Sequence, residues 1–122
     1  MILQDNLFTI LSQEDDKPAF RVQINKAWPI YEAHFPGNPI TPGVCIVQMV
    51  QELLQVLLGR KVRLKKAKNV KYLAIISPLE VGELSVVFTK TEPQPDGTLK
   101  VQAQVCGDET VFTKLSLTFT LT

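Results

Sequence analysis

The hydrophobic pattern predicts an α+β fold: antiparallel strands and one long helix that other structure must enclose. Three observations carry that expectation. Two strand-like segments precede residue 26, an almost wholly apolar stretch runs from Val44 to Leu58, and four further strand-like segments follow it.

Residues 7–13 and 18–25 flank the polar turn Glu14-Asp15-Asp16-Lys17. In the second segment Phe20, Val22 and Ile24 alternate with Arg21 and Gln23, so one face is apolar and the pair reads as a hairpin covering a core. Trp28 to Tyr31 then leads into His34-Phe35-Pro36-Gly37-Asn38-Pro39-Ile40-Thr41-Pro42-Gly43-Val44. Three prolines and two glycines in these eleven residues specify a loop of nearly determined shape. Proline clamps φ, and glycine permits turns closed to other residues. The loop carries the single histidine of the chain and delivers the backbone into a helix at Gly43. A rigid loop that sets one imidazole beside a helix N-terminus reads as a built site.

Between Val44 and Leu58 the polar residues are Gln48, Gln51, Glu52 and Gln55, at i, i+3, i+4 and i+7, which is one narrow stripe on a helix. Gly59 stands where a C-terminal glycine ends a helix. So broad an apolar surface needs partners on most sides. The stripe has a plain reading as a solvent-facing edge, strongest for Gln51 and Gln55; Gln48, nearer the histidine loop, faces a pocket on this reading.

Strands are then expected at 68–77, 83–91, 99–106 and 111–121, the first ending at Pro78. Pro95-Asp96-Gly97 and Gly107-Asp108-Glu109 are the turn signals between the later ones. No repeat, low-complexity tract or linker interrupts the order, and 122 residues make room for one domain, 1–122.

A hydrophobic content of 45% and a charged content of 20% belong to an ordinary globular chain. Gln4, Asp5 and Asn6 break the opening apolar residues, which argues against a secretory leader, and no apolar run approaches the roughly eighteen residues of a membrane span. Cys45 and Cys106 read as small buried hydrophobes, and one histidine does not complete a zinc site with them, so no metal is expected and the setting is reducing and cytoplasmic.

The net charge of +1 hides an uneven distribution. Seven basic residues and no acid lie between Arg60 and Lys71, leaving six basic against twelve acidic residues elsewhere. Arg60, Lys61, Arg63, Lys65, Lys66 and Lys68 therefore form either a solvated edge or a docking point for an anionic partner. Nucleic acid fits poorly, since no aromatic residue interleaves the charges from 60 to 68.

The segment His34-Phe35-Pro36-Gly37-x-Pro39-x-x-Pro42-Gly43-Val44 resembles the signature of bacterial 3-hydroxyacyl-acyl carrier protein dehydratases, a hot-dog fold family. Ser77-Pro78-Leu79-Glu80-Val81-Gly82-Glu83 is similar, more weakly, to that family's proline–glycine–acid turn. The resemblance implies a curved antiparallel sheet of about six strands wrapped around the central helix. It implies a hydro-lyase that removes water from a 3-hydroxyacyl thioester, with His34 as the base and the Gly43 N–H receiving the carbonyl oxygen, flanked by Phe35 and Val44. It also implies a homodimer or higher oligomer with sites at the interface, no cofactor beyond the phosphopantetheine that the substrate carries, and an acyl carrier protein or coenzyme A as partner. The basic segment would dock the acidic carrier.

One position departs from the pattern. The family sets an acid fourteen residues after the histidine to protonate the departing hydroxyl; here that residue is Gln48, and Glu52 stands four residues on, where the family has glutamine. The two types look exchanged one turn, about 5.4 Å, apart. Glutamine holds a hydroxyl but cannot deliver a proton. Either Glu52 reaches the site, or water protonates slowly, or the pocket survives without the reaction. Two other readings stay open: a hot-dog thioesterase using Glu52 as its carboxylate, and a non-catalytic acyl-binding subunit paired with an active homologue. Cys45, in the first helical turn, is a further nucleophile by position, though the family uses none there.

Overall fold

In the computed structural model, which describes residues 2–122, six strands form one antiparallel sheet over a long helix. The strands are β1 (Phe8–Gln13), β2 (Ala19–Ile24), β3 (Val62–Tyr72), β4 (Glu83–Pro93), β5 (Thr98–Cys106) and β6 (Val111–Leu121). A short helix α1 (Ile30–Ala33) precedes the histidine loop, and α2 (Gly43–Leu58) follows it. The sheet order is β1-β2-β4-β5-β6-β3, with β1 and β3 at the edges. This is the hot-dog architecture that the resemblance implies.

Alternation along each strand decides which side meets the helix. Phe20, Val86 and Val105 stand opposite one another across β2, β4 and β5, all buried, and the same row continues through Thr113 to Tyr72. Against that face α2 sets Ile46, Met49, Val50, Leu53 and Leu54, each almost free of solvent. Register irregularities fall at Ile10/Ser12, Leu64/Lys66, Ala67/Asn69 and Phe88/Lys90. Such bulges bend strands and raise their twist, which lets one sheet curve around a helix.

Helix α2 starts after Pro42, held extended at ψ 144°, and ends at Gly59, whose φ of +67° is the left-handed region that glycine enters without a Cβ penalty. The polar stripe is not a solvated edge. Gln51 Nε2 donates to the Val62 carbonyl and Val62 N–H donates to Gln55 Oε1, both at 3.1 Å, so the two glutamines fasten the start of β3 to the helix.

One expectation needs correction. The strand placed at 68–77 runs instead from Val62 to Tyr72, so the basic residues from Arg63 on lie within it, and only Arg60 and Lys61 precede it. The strand is an edge, and lysines on an edge discourage further strand pairing, which is why a charged run is compatible with β structure here. After Tyr72 the chain leaves the ladder: Leu73 and Ala74 N–H both donate to the Phe112 carbonyl, and the Ile76 carbonyl accepts from Thr41. Among the described residues no helix is long and apolar enough to cross a membrane.

Leu53 lies at the middle of α2 with no exposed surface. Leu53→Ala is expected to lower unfolding stability by about 2–5 kcal/mol, read from urea or guanidinium denaturation, because the surrounding sheet can collapse only partly into the space.

Candidate functional site

His34 sits at the C-terminal end of α1, with φ −134° and ψ 77°. Its N–H donates to the Ile30 carbonyl at 3.0 Å, and its own carbonyl accepts from Ile40 at 2.7 Å. Between these anchors Phe35 and Asn38 exchange two backbone hydrogen bonds, Gly37 turns at φ +76°, and the His34–Phe35 peptide is cis. Thr41 closes the loop. Its N–H reaches the Ile76 carbonyl at 2.9 Å, and its hydroxyl pairs with the buried Tyr31 hydroxyl, also at 2.9 Å. Burial pushes the Tyr31 phenol up, an effect that the Thr41 hydrogen bond partly offsets.

The loop therefore holds the imidazole by its backbone on both sides. The ring packs beside Phe35, centroids 5.5 Å apart, and its Nδ1 is buried with no hydrogen-bond partner. A buried ring nitrogen without a partner is uncommon in native proteins. At that nitrogen the imidazole is committed to no other group among the described residues.

Next to the loop, α2 opens with no side-chain cap, and the N–H groups of Gly43 and Val44 have no acceptor among the described residues. These are the unpaired donors at the positive end of a sixteen-residue helix. The apolar side chains around this point are open to solvent: Phe35, Val44 and Ile75 are all more than half exposed. An open cleft beside the loop is lined by Tyr31, Glu32, Phe35, Pro36 and Pro39.

Gln48 and Glu52 are brought together, but not as two free groups. Glu52 is 1% exposed, and its carboxylate accepts from the Leu3 N–H at both oxygens (3.1 and 3.0 Å), the Gln4 N–H at 2.8 Å and Gln48 Nε2 at 3.0 Å. A buried carboxylate is tolerable only with such partners. It is committed to holding the N-terminal segment against the helix. Gln48, half-buried, turns its NH2 toward Glu52 and keeps its carbonyl oxygen for another donor.

Arg63, Lys65, Lys66 and Lys68 lie exposed on β3, with Arg60 and Lys61 in the turn before it, and none of the six forms an ion pair among the described residues. They sit apart from the loop along the sheet edge. Cys45 is buried in the first turn of α2, and burial pushes its thiol up. The thiolate is the reactive form, so this environment disfavours a nucleophilic role. Tyr72 is a residue that pattern reading assigned only to a strand; its ring lies against Gly43. Strand alternation puts it on the helix side of the sheet, but nothing in the sequence says what it meets.

A sequence model of the ApeI-like family, described as ApeI dehydratase, matches residues 11–113. The 3-hydroxyacyl-[acyl-carrier-protein] dehydratase FabZ of Lactiplantibacillus plantarum is 33% identical over 105 residues, 80% of this chain and 68% of its own length. Among solved structures, the dehydratase heterocomplex ApeI:P from Xenorhabdus doucetiae contains a chain that superposes with a TM-score of 0.67 at 17% identity, covering 93% of this chain and 97% of that one. A thioesterase from Pseudomonas aeruginosa superposes with a TM-score of 0.66 at 14% identity, over 96% and 83% of the two chains. These two structures share the fold.

Two measurements probe this arrangement. Glu52→Gln keeps the size of the side chain but turns an NH2 toward backbone donors, so stability should fall by about 1–3 kcal/mol in denaturant unfolding. Cys45 should react with iodoacetamide at pH 7.5 far more slowly in the native protein than in urea, followed by mass spectrometry, because its raised pKa and burial both suppress the thiolate.

Proposed function

We infer that this chain, which belongs to the ApeI-like dehydratase family, removes water from a 3-hydroxyacyl thioester to give the 2-enoyl product. The observation that carries this reading is the buried, unpartnered Nδ1 of His34, on a loop anchored beside the uncapped start of α2. His34 takes the proton α to the thioester carbonyl. As the C–H electron pair moves toward the carbonyl, charge develops on its oxygen, and the Gly43 N–H at the helix N-terminus receives it. Phe35 and Val44 supply exposed apolar surface for the acyl chain.

Gln48 holds the departing hydroxyl by hydrogen bonding and leaves its protonation to water. Glu52 does not take over, because its oxygens already accept four hydrogen bonds from three groups: the Leu3 N–H, which reaches both oxygens, the Gln4 N–H and Gln48 Nε2. Dehydration by this chain alone is therefore slow. The substrate arrives on the phosphopantetheine of an acyl carrier protein or of coenzyme A, and the cationic edge from Arg60 to Lys68 attracts the acidic carrier. Exposed apolar residues around the start of α2 fit coverage by a second copy of the chain, completing the site at a dimer interface.

A second reading is favoured by the same carboxylate. With its helix acid committed to structure, the chain suits the role of an acyl-binding subunit that pairs with an active homologue, and the ApeI:P dehydratase from Xenorhabdus doucetiae is a heterocomplex.

Enoyl-thioester absorbance and free thiol release, followed separately, test these assignments. His34→Ala should reduce enoyl formation by about 10²-fold or more, and Gln48→Glu should raise it by about 10²–10⁴-fold, the usual worth of a positioned acid or base. Thiol release without enoyl formation would replace the dehydratase by a thioesterase. A Gln48→Glu protein that stays inactive, yet strengthens no partner's activity, would leave neither reading standing.

A further inference from the structure

Tyr72 ends β3, and its phenol lies across the first residue of α2. A Cβ built on Gly43 would stand 2.6 Å from the Tyr72 hydroxyl oxygen and 2.7 Å from its Cζ. The hydroxyl is therefore directly over the Gly43 Cα, one covalent bond from the amide nitrogen. An added side chain at Gly43 would meet the end of the Tyr72 ring, and backbone conformation makes no demand for glycine there, since Gly43 is not among the glycines at positive φ. Neither the Gly43 N–H nor the Tyr72 hydroxyl has a hydrogen-bond partner among the described residues, and Tyr72 is 53% exposed. Two donors thus stand side by side with no acceptor between them.

A third unpaired polar side chain lies on the neighbouring strand. Thr113 faces Tyr72 directly in the β3–β6 ladder and Val105 in the β5–β6 ladder, which puts it in the inward row with Phe20 and Val86. Thr113 has no exposed surface, and its hydroxyl has no partner. Packing alone would be served as well by valine, which has nearly the same shape. A buried hydroxyl without a partner carries a desolvation cost.

We propose that Tyr72 is a catalytic residue whose hydroxyl donates a hydrogen bond to the thioester carbonyl oxygen, alongside the Gly43 N–H. This rests on the dehydratase reading. In the step concerned, the C2–H bond breaks, an N–H bond forms on His34, and the electron pair moves through the C1–C2 bond onto the carbonyl oxygen. The Tyr72 O–H bond stays intact; it stabilises the charge by donation and gives up no proton. A phenol is suited to that task because it is a neutral donor at neutral pH, on a ring already held by contact with the helix. Two donors set on the same oxygen before reaction need no rearrangement as the charge appears.

The test is Tyr72→Phe, which keeps the ring over Gly43 and removes one oxygen, assayed with 3-hydroxybutyryl-coenzyme A beside the wild type and His34→Ala. The expected result is a fall in kcat of about 10- to 100-fold, somewhat below the loss of a fully enclosed donor, with KM within about twofold. The thermal midpoint should not move. His34-dependent turnover with an unchanged kcat in Tyr72→Phe overturns the proposal alone. A raised KM with unchanged kcat also overturns it, because the hydroxyl would then bind substrate and transition state equally. Turnover absent from the wild type, or indifferent to His34→Ala, overturns the dehydratase reading and this assignment together.

Discussion

A carboxylate buried inside the sheet, on the helix that the sheet encloses, sets the terms for this molecule. Charge taken out of water has to be surrounded by donors, and Glu52 finds them in the backbone of Leu3 and Gln4 and the amide of Gln48. The N-terminal segment is thereby drawn over one side of α2, and Leu3 and Leu7 join the core. The rest of the polar stripe follows the same logic. Gln51 and Gln55 pair with the backbone of Val62, so that the edge strand β3 begins at a defined height on the helix. Glu52, Gln51 and Gln55 act here as fasteners, each matched to backbone groups outside the helix.

That placement reaches the other end of β3. Fixing the strand's start and its pairing with β6 also fixes where Tyr72 lies when the strand ends, which is against Gly43. The histidine loop is tied independently, through Ile30, Ile40 and the Thr41–Ile76 hydrogen bond. Two separately anchored pieces thus converge on the uncapped start of α2. Preorganisation of this kind comes from backbone constraints more than from side-chain contacts, and it explains how a half-exposed region can hold a defined geometry.

Moving a carboxylate by one helical turn changes what it can do. At position 48 a side chain stays half-buried and close to the helix start; at position 52 it is enclosed and saturated with donors. Because an ionised carboxylate only accepts, it obliges Gln48 to present its NH2 inward, leaving the amide oxygen directed elsewhere. The apparent exchange of glutamine and glutamate thus swaps a proton donor for a hydrogen-bond acceptor at one level and installs a structural anchor at the other.

The sequence by itself determined the strand–helix order, the limits of α2 at Gly43 and Gly59, and the rigid loop around His34. These rest on local rules: period-two alternation, a long apolar helical run, and the restricted φ of proline and glycine. Local patterning failed at β3, where an edge strand carries lysines that mimic a loop, and at the polar stripe, whose internal partners are far away in sequence. Only the tertiary structure decided that Glu52 meets Leu3 and Gln4, that Thr113 closes an apolar row, and that Tyr72 lies on Gly43. Each of those contacts joins residues from different elements, and no periodicity along one segment encodes which group on another it will find.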